Sequence, residues 1–120
     1  MSTKVERYDE AIALKSDGKD DEALAKLEAL VKDEPDYALA HSALSVFYGK
    51  LDRLDEAVEH AGKVCELEPN DPFSFVAMSM TCQKAGKLSE AEEAMAKARQ
   101  VEFAAQQAAQ QARKEAEGEG

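Results

Sequence analysis

Gly18-Lys19-Asp20-Asp21-Glu22-Ala23 recurs as Asp52-Arg53-Leu54-Asp55-Glu56-Ala57, and again as Gly86-Lys87-Leu88-Ser89-Glu90-Ala91. The blocks stand 34 residues apart. Self-similarity of that period marks a stacked-repeat architecture, in which each unit buries its apolar face only against its neighbours. The 120 residues hold about three and a half periods, so one stacked body is expected rather than two domains.

Each block joins a turn to the start of a helix. Asp17-Gly18-Lys19 predicts a tight turn, with Gly18 suited to a left-handed backbone. Asp21, Asp55 and Ser89 are expected to cap the helices that follow, with Glu92 completing a capping box on Ser89. The helix after the first turn carries Ala23, Leu24, Leu27, Leu30 and Val31 at helical spacing. Glu34-Pro35-Asp36 stops it, because proline pushes the preceding residue out of the helical region.

Upstream of that turn, a helix is expected from about Thr3 to Ser16, with Val5, Tyr8, Ile12 and Leu14 near one side. The second unit has a helix from Ala38 to Leu51, an Asp52-Arg53 turn, and a helix to Leu67 stopped at Pro69-Asn70. The third opens at Pro72, acceptable in a first helical turn. Phe103 replaces the stop that Pro35 and Pro69 supply, so one long helix is expected from about Glu90 to about Glu117, fraying at Gly118-Glu119-Gly120. At ~1.5 Å per residue it would be about 40 Å long.

The fold class is therefore all-α: an α-solenoid of three helix-turn-helix units, 4–37, 38–71 and 72–105, with a helical extension over 106–120. A hydrophobic content of 44% without tryptophan predicts a core of Leu, Val and Ala.

The net charge of −10 argues against nucleic acid and against an anionic membrane surface, both of which call for a basic face. The charge is uneven. Residues 4–71 hold nine basic and eighteen acidic side chains, whereas residues 72–105 hold four of each. That field keeps the chain soluble and would favour a basic partner. No apolar run is long enough to span a bilayer, and the first residues show no apolar leader core. A soluble cytoplasmic protein with reduced Cys65 and Cys82 is expected, although a bridge between the two thiols stays open.

The pattern resembles the tetratricopeptide repeat (TPR) family over about residues 4–105. The small residues and breakers fall in register: Ala11, Ser45 and Ser79; Gly18 and Gly86; Ala23, Ala57 and Ala91; Pro35 and Pro69. The early aromatic of the family unit is replaced by Arg7 and His41 in the first two units, and Glu10 replaces an apolar residue. The resemblance implies a protein-binding scaffold, with the first helix of each unit lining a concave groove. The groove positions so implied are Val5, Tyr8, Asp9 and Ile12, then Leu39, Ser42, Ala43 and Val46, then Phe73, Val76, Ala77 and Met80. Lys15, Lys50 and Lys84 would form a basic rim. Family members that clamp the acidic C-terminus of heat-shock chaperones use cationic and amide side chains at positions matching Tyr8, Ile12, Ala43, Phe73 and Ala77. None of these five pairs with a carboxylate, so clamp binding is not expected.

Two functions follow. The first is a non-enzymatic adaptor or chaperone-like protein holding an apolar or mildly basic peptide segment in the groove. The second is a self-assembling scaffold, a homo-oligomer through the groove or the last helix. Some groove residues would alternatively be core. The tail is expected to cover the last repeat; its alanines allow close helix approach but bury little, at about 25 cal/mol per Å².

Nothing in the sequence calls for a cofactor. His41 and His60 read as isolated, with no zinc constellation, and His41 as a packing residue. Cys82 reads as a small buried hydrophobe. Asp17, Asp20, Asp21 and Glu22 lack the pattern of a calcium loop, and no phosphate loop or catalytic triad is present.

Overall fold

The computed structural model describes residues 2–118. Among them are six helices and no strand: α1 (Lys4–Ser16), α2 (Asp20–Asp33), α3 (Ala38–Lys50), α4 (Leu54–Leu67), α5 (Pro72–Lys84) and α6 (Leu88–Gly118). They pack as hairpins α1·α2, α3·α4 and α5·α6, and α2·α3 and α4·α5 join one hairpin to the next.

The repeat is written into the turns. Gly18 and Gly86 take left-handed backbones, at φ 79° and 77°. Asp52 takes the same conformation at φ 62°, so the departure from glycine leaves the geometry intact at a steric cost. The repeat is written equally into the hairpin contacts. Ser45 Oγ donates to the Ala57 carbonyl at 2.8 Å, and Ser79 Oγ donates to the Ala91 carbonyl at 2.8 Å. Ala11 and Ala23 hold the corresponding positions in the first hairpin, both fully buried. Small side chains there let the two backbones approach.

The helix starts differ from expectation. α2 and α4 open on Lys19 and Arg53, which make no side-chain cap bond. Asp21 and Asp55 lie inside the first turn, where their charge favours the helix dipole instead. Ser89 lies inside α6 and makes no capping bond among the described residues. The capping box is at Thr3: its hydroxyl accepts from the Glu6 N–H at 3.1 Å, and Glu6 reaches back to the Thr3 N–H. Asp71 caps α5 through the Phe73 N–H at 3.0 Å, with Pro72 in the first turn as expected.

The main core lies between the first two units, on Leu27, Leu30, Leu44, Phe47 and Tyr48. The polar departures of unit one find partners: Arg7 pairs with Asp33 and Glu10 with Lys26, each at 2.9 Å. Unit three buries mostly alanine, at Ala91, Ala94 and Ala98, beside Cys82.

The third unit also presents a polar outer face. Leu24 and Val31, then Val58 and Cys65, are half-buried at corresponding positions of α2 and α4. In α6 those positions hold Glu92 and Arg99, both exposed. A terminal repeat needs such a face to stay solvated without a further unit stacked on it. This corrects the expected role of the tail. α6 runs 31 residues, and residues 102–118 are exposed throughout, with Ala104 and Ala105 lining an open cleft beside Pro69 and Asn70. Among the described residues, no helix is long and apolar enough to cross a membrane.

Candidate peptide-binding groove

The first helices α1, α3 and α5 share one face of the solenoid. Large apolar side chains stand open on it: Val5 is 53% exposed, Leu39 48%, Val46 49%, Phe73 77% and Met80 63%. A core reading of these five is excluded by that exposure. Tyr8 and Ala43 differ. Both are partly buried against the main core, and Tyr8 packs edge-on against Tyr37 with ring centroids 6.2 Å apart. Burial, Tyr37 and Asp9 together raise the Tyr8 pKa above its ordinary value, so it stays neutral. Ile12 and Val76 are half-buried, whereas Asp9, Ser42 and Ala77 are exposed.

A cleft of about 320 Å³ opens between α3 and α5. Val46, Ala77 and Met80 line it, as do the rim residues Lys50 and Lys84. Leu54, Ala61 and Val64 of α4 form an apolar floor. The resemblance pointed to first helices alone and missed that floor. The helical spacing of Leu54, Ala61 and Val64, seven and three residues apart, is the signal that places them on one side of α4. Two other clefts are larger, about 480 and 470 Å³. The first sets Pro69, Val101, Ala104 and Ala105 beside Asn70, Lys97 and Gln100, and the second sets Val58 among His41, Glu59, His60, Lys63 and Glu66, so polar and charged groups make up more of their walls.

The three rim lysines divide by their contacts. Lys15 lies over the Phe47 ring, 5.1 Å from its centroid, and ties unit one to unit two. Lys84 Nζ donates to the Gly49 carbonyl at 2.7 Å. That carbonyl belongs to the last turn of α3 and also accepts the Asp52 N–H, at 3.3 Å. Lys50 makes no ion pair or hydrogen bond among the described residues. No carboxylate lines the cleft.

The histidines are not isolated. His41, 6% exposed, sets its Nδ1 2.9 Å from His60 Nδ1 and its Nε2 2.8 Å from the Pro35 carbonyl. Tyr48 stacks on His60 and donates its hydroxyl to Glu28 at 2.8 Å. Its pKa is pushed up to about 12, by burial first and then by Glu28. Arg53 lies over the other part of this stack, 4.6 Å from the Tyr48 centroid. The cluster joins α2, α3 and α4 with no buried side-chain polar atom left unpartnered, which is a packing arrangement. Both cysteines are free. Cys65 donates to the Ser74 carbonyl at 3.3 Å, and burial raises both thiol pKa values, away from nucleophilic use. Among the described residues, no group of three or more His, Cys, Asp or Glu is placed to hold a metal.

This arrangement of hairpins is the tetratricopeptide-repeat solenoid fold. A crystal structure of MamA superposes with a TM-score of 0.77 at 19% identity, over 88% of this chain and 61% of that one. MamA 41-end from Desulfovibrio magneticus RS-1 gives 0.73 at 22%, over 83% and 56%. This chain thus spans about three-fifths of the MamA chains it matches. The second TPR of Spaghetti (RPAP3), bound to the HSP90 peptide SRMEEVD, gives 0.70 at 17%, over 82% and 91%. No protein-family model matches the sequence, and no curated protein is similar to it in sequence.

Proposed function

We propose that this chain is a non-enzymatic, chaperone-like adaptor that holds an apolar segment of a partner protein against α1, α3 and α5. The observation carrying this is the open row of Val5, Leu39, Val46, Phe73 and Met80 beside an apolar cleft. Large apolar side chains left open at corresponding positions of successive first helices mark an interaction site. A neighbour of the same fold, the second TPR of Spaghetti, holds a peptide. That precedent supports the class of ligand. The positions matching the family's carboxylate clamp hold Tyr8, Ile12, Ala43, Phe73 and Ala77, so the peptide is gripped differently. Val46→Glu and Met80→Glu place charge on the strip at exposed positions. Peptide binding should fall at least tenfold while helicity and melting temperature persist. Undiminished binding in a folded double variant refutes the groove.

A second reading is self-assembly through α6. It is favoured by the exposure of residues 102–118 and by Phe103, 61% exposed on that helix. Light scattering on the full chain and on a chain ending at Glu102, which removes Phe103, decides it. A mass that rises with concentration only in the longer chain would establish the tail as an interface. A constant monomer mass removes this reading.

A further inference from the structure

We propose that the segment held in the α3–α5 cleft carries carboxylates on either side of its apolar side chain, and that Lys50 reads them with Lys84 beside it. The proposal rests on the groove reading above and names the chemistry of its partner. Its ground is a local inversion of charge. The chain as a whole carries −10, which on its own predicts a basic partner. Yet two lysines and no carboxylate line the cleft. Five of the eighteen acidic side chains of the first two units stand instead in the first turns of the second helices, Asp20, Asp21 and Glu22 in α2 and Asp55 and Glu56 in α4.

The two ammonium groups are available to different degrees. Lys84 spends one donor on the Gly49 carbonyl at 2.7 Å, which holds its head at the cleft and leaves two donors free. Lys50, exposed, spends none among the described residues. Compensation of the α3 dipole accounts for a lysine in that last turn. It does not account for a second lysine, from α5, held on the Gly49 carbonyl of that turn. Val46, Ala77, Met80 and Val64 between them offer a seat for one large apolar side chain. A ligand with that side chain and adjacent carboxylates satisfies both features of the cleft. At short range the pairing prevails over the field of the whole chain, which is screened beyond about 8 Å at physiological salt.

The test uses the full chain and three fluorescent synthetic peptides. Each has a central Leu-Phe pair, flanked on both sides by two Glu, two Gln or two Lys. Anisotropy titrations near physiological salt should rank them Glu, then Gln, then Lys. Glu should exceed Gln by about threefold to fivefold, as expected of partly exposed ion pairs. Lys50→Glu, at an exposed position, should reverse the order of the Glu and Lys peptides. Equal affinity for all three overturns the charge reading and leaves the apolar groove standing. Tightest binding of the Lys peptide, or an order that Lys50→Glu does not alter, overturns it as well. Failure of all three peptides to bind overturns the groove itself.

Discussion

His41 and His60 face each other Nδ1 to Nδ1 at 2.9 Å across the α3–α4 hairpin. The Pro35 carbonyl, 2.8 Å from His41 Nε2, can only accept, so that nitrogen carries a proton. With His41 neutral, its Nδ1 is the acceptor and His60 Nδ1 is the donor. Only one proton fits between the two rings. The pair therefore ties the loop after α2 to both helices of the second unit, but only while at least one ring is neutral.

Stability should accordingly fall with acid. His60 is held below its ordinary pKa of 6.5, by burial first and by His41 second, with Glu59, Glu56 and Glu28 opposing. As pH drops below that ordinary value, the unfolded chain takes up a proton that the folded chain resists. The stabilisation is complete above about pH 6.5 and is lost as pH falls through the lowered folded value. Thermal melts from pH 7.5 to 5.0 should show a falling melting temperature, and His60→Gln should flatten that slope. An equally steep slope in the variant would assign the acid sensitivity to other groups.

The turns give a paired prediction. Asp52 sits at φ 62° where units one and three place glycine. Asp52→Gly should raise stability by about 0.5–1 kcal/mol, by relieving the left-handed strain of a residue with a Cβ. Gly86→Ala should lower it by about 1–2 kcal/mol. A Cβ at Gly86 would meet nothing within 4 Å, so the loss there is backbone strain and not a clash. Urea denaturation measures both. Opposite signs are expected, and equal signs would contradict the shared conformation.

Much of this was legible in the 34-residue period, and what was missed has a common cause. Gly18, Asp52 and Gly86 share a backbone state, and Pro35 and Pro69 follow the ends of α2 and α4, because turn chemistry is local. The caps were misplaced because Asp21 and Asp55 suit either an N-cap or a first turn, and only the hydrogen bonds distinguish the two. Thr3-x-x-Glu6 carries the capping-box spacing, and there the hydrogen bonds bear it out. The histidine pair spans 19 residues, and periodicity says which face a side chain shares but not which atom it meets. Of the expected groove residues, Val46, Ala77 and Met80 line the α3–α5 cleft. Tyr8 and Ala43 turned partly inward, because the main core between units one and two draws them in.

Exposure of the tail predicts a gradient of hydrogen exchange along α6. Ala91, Ala94 and Ala98 are buried against the bundle, whereas residues 102–118 are all exposed. An isolated helical stretch of such length is marginal in water. Amides near Ala94 should be protected by orders of magnitude more than those near Ala108 and Ala112. Removing residues 104–120 should change global stability by less than about 0.5 kcal/mol. Uniform protection along α6 would reveal a partner surface for the tail, most simply another copy.

The most direct test of the account is nuclear magnetic resonance mapping on the isotopically labelled full chain, titrated with the Glu-flanked Leu-Phe peptide. The account predicts saturable shifts at Val46, Lys50, Ala77, Met80 and Lys84, the residues around the α3–α5 cleft. His41, His60 and Lys63, which line a different cleft, should stay in place. Shifts centred on that second cleft, or none at saturating peptide, would contradict the groove as the binding site.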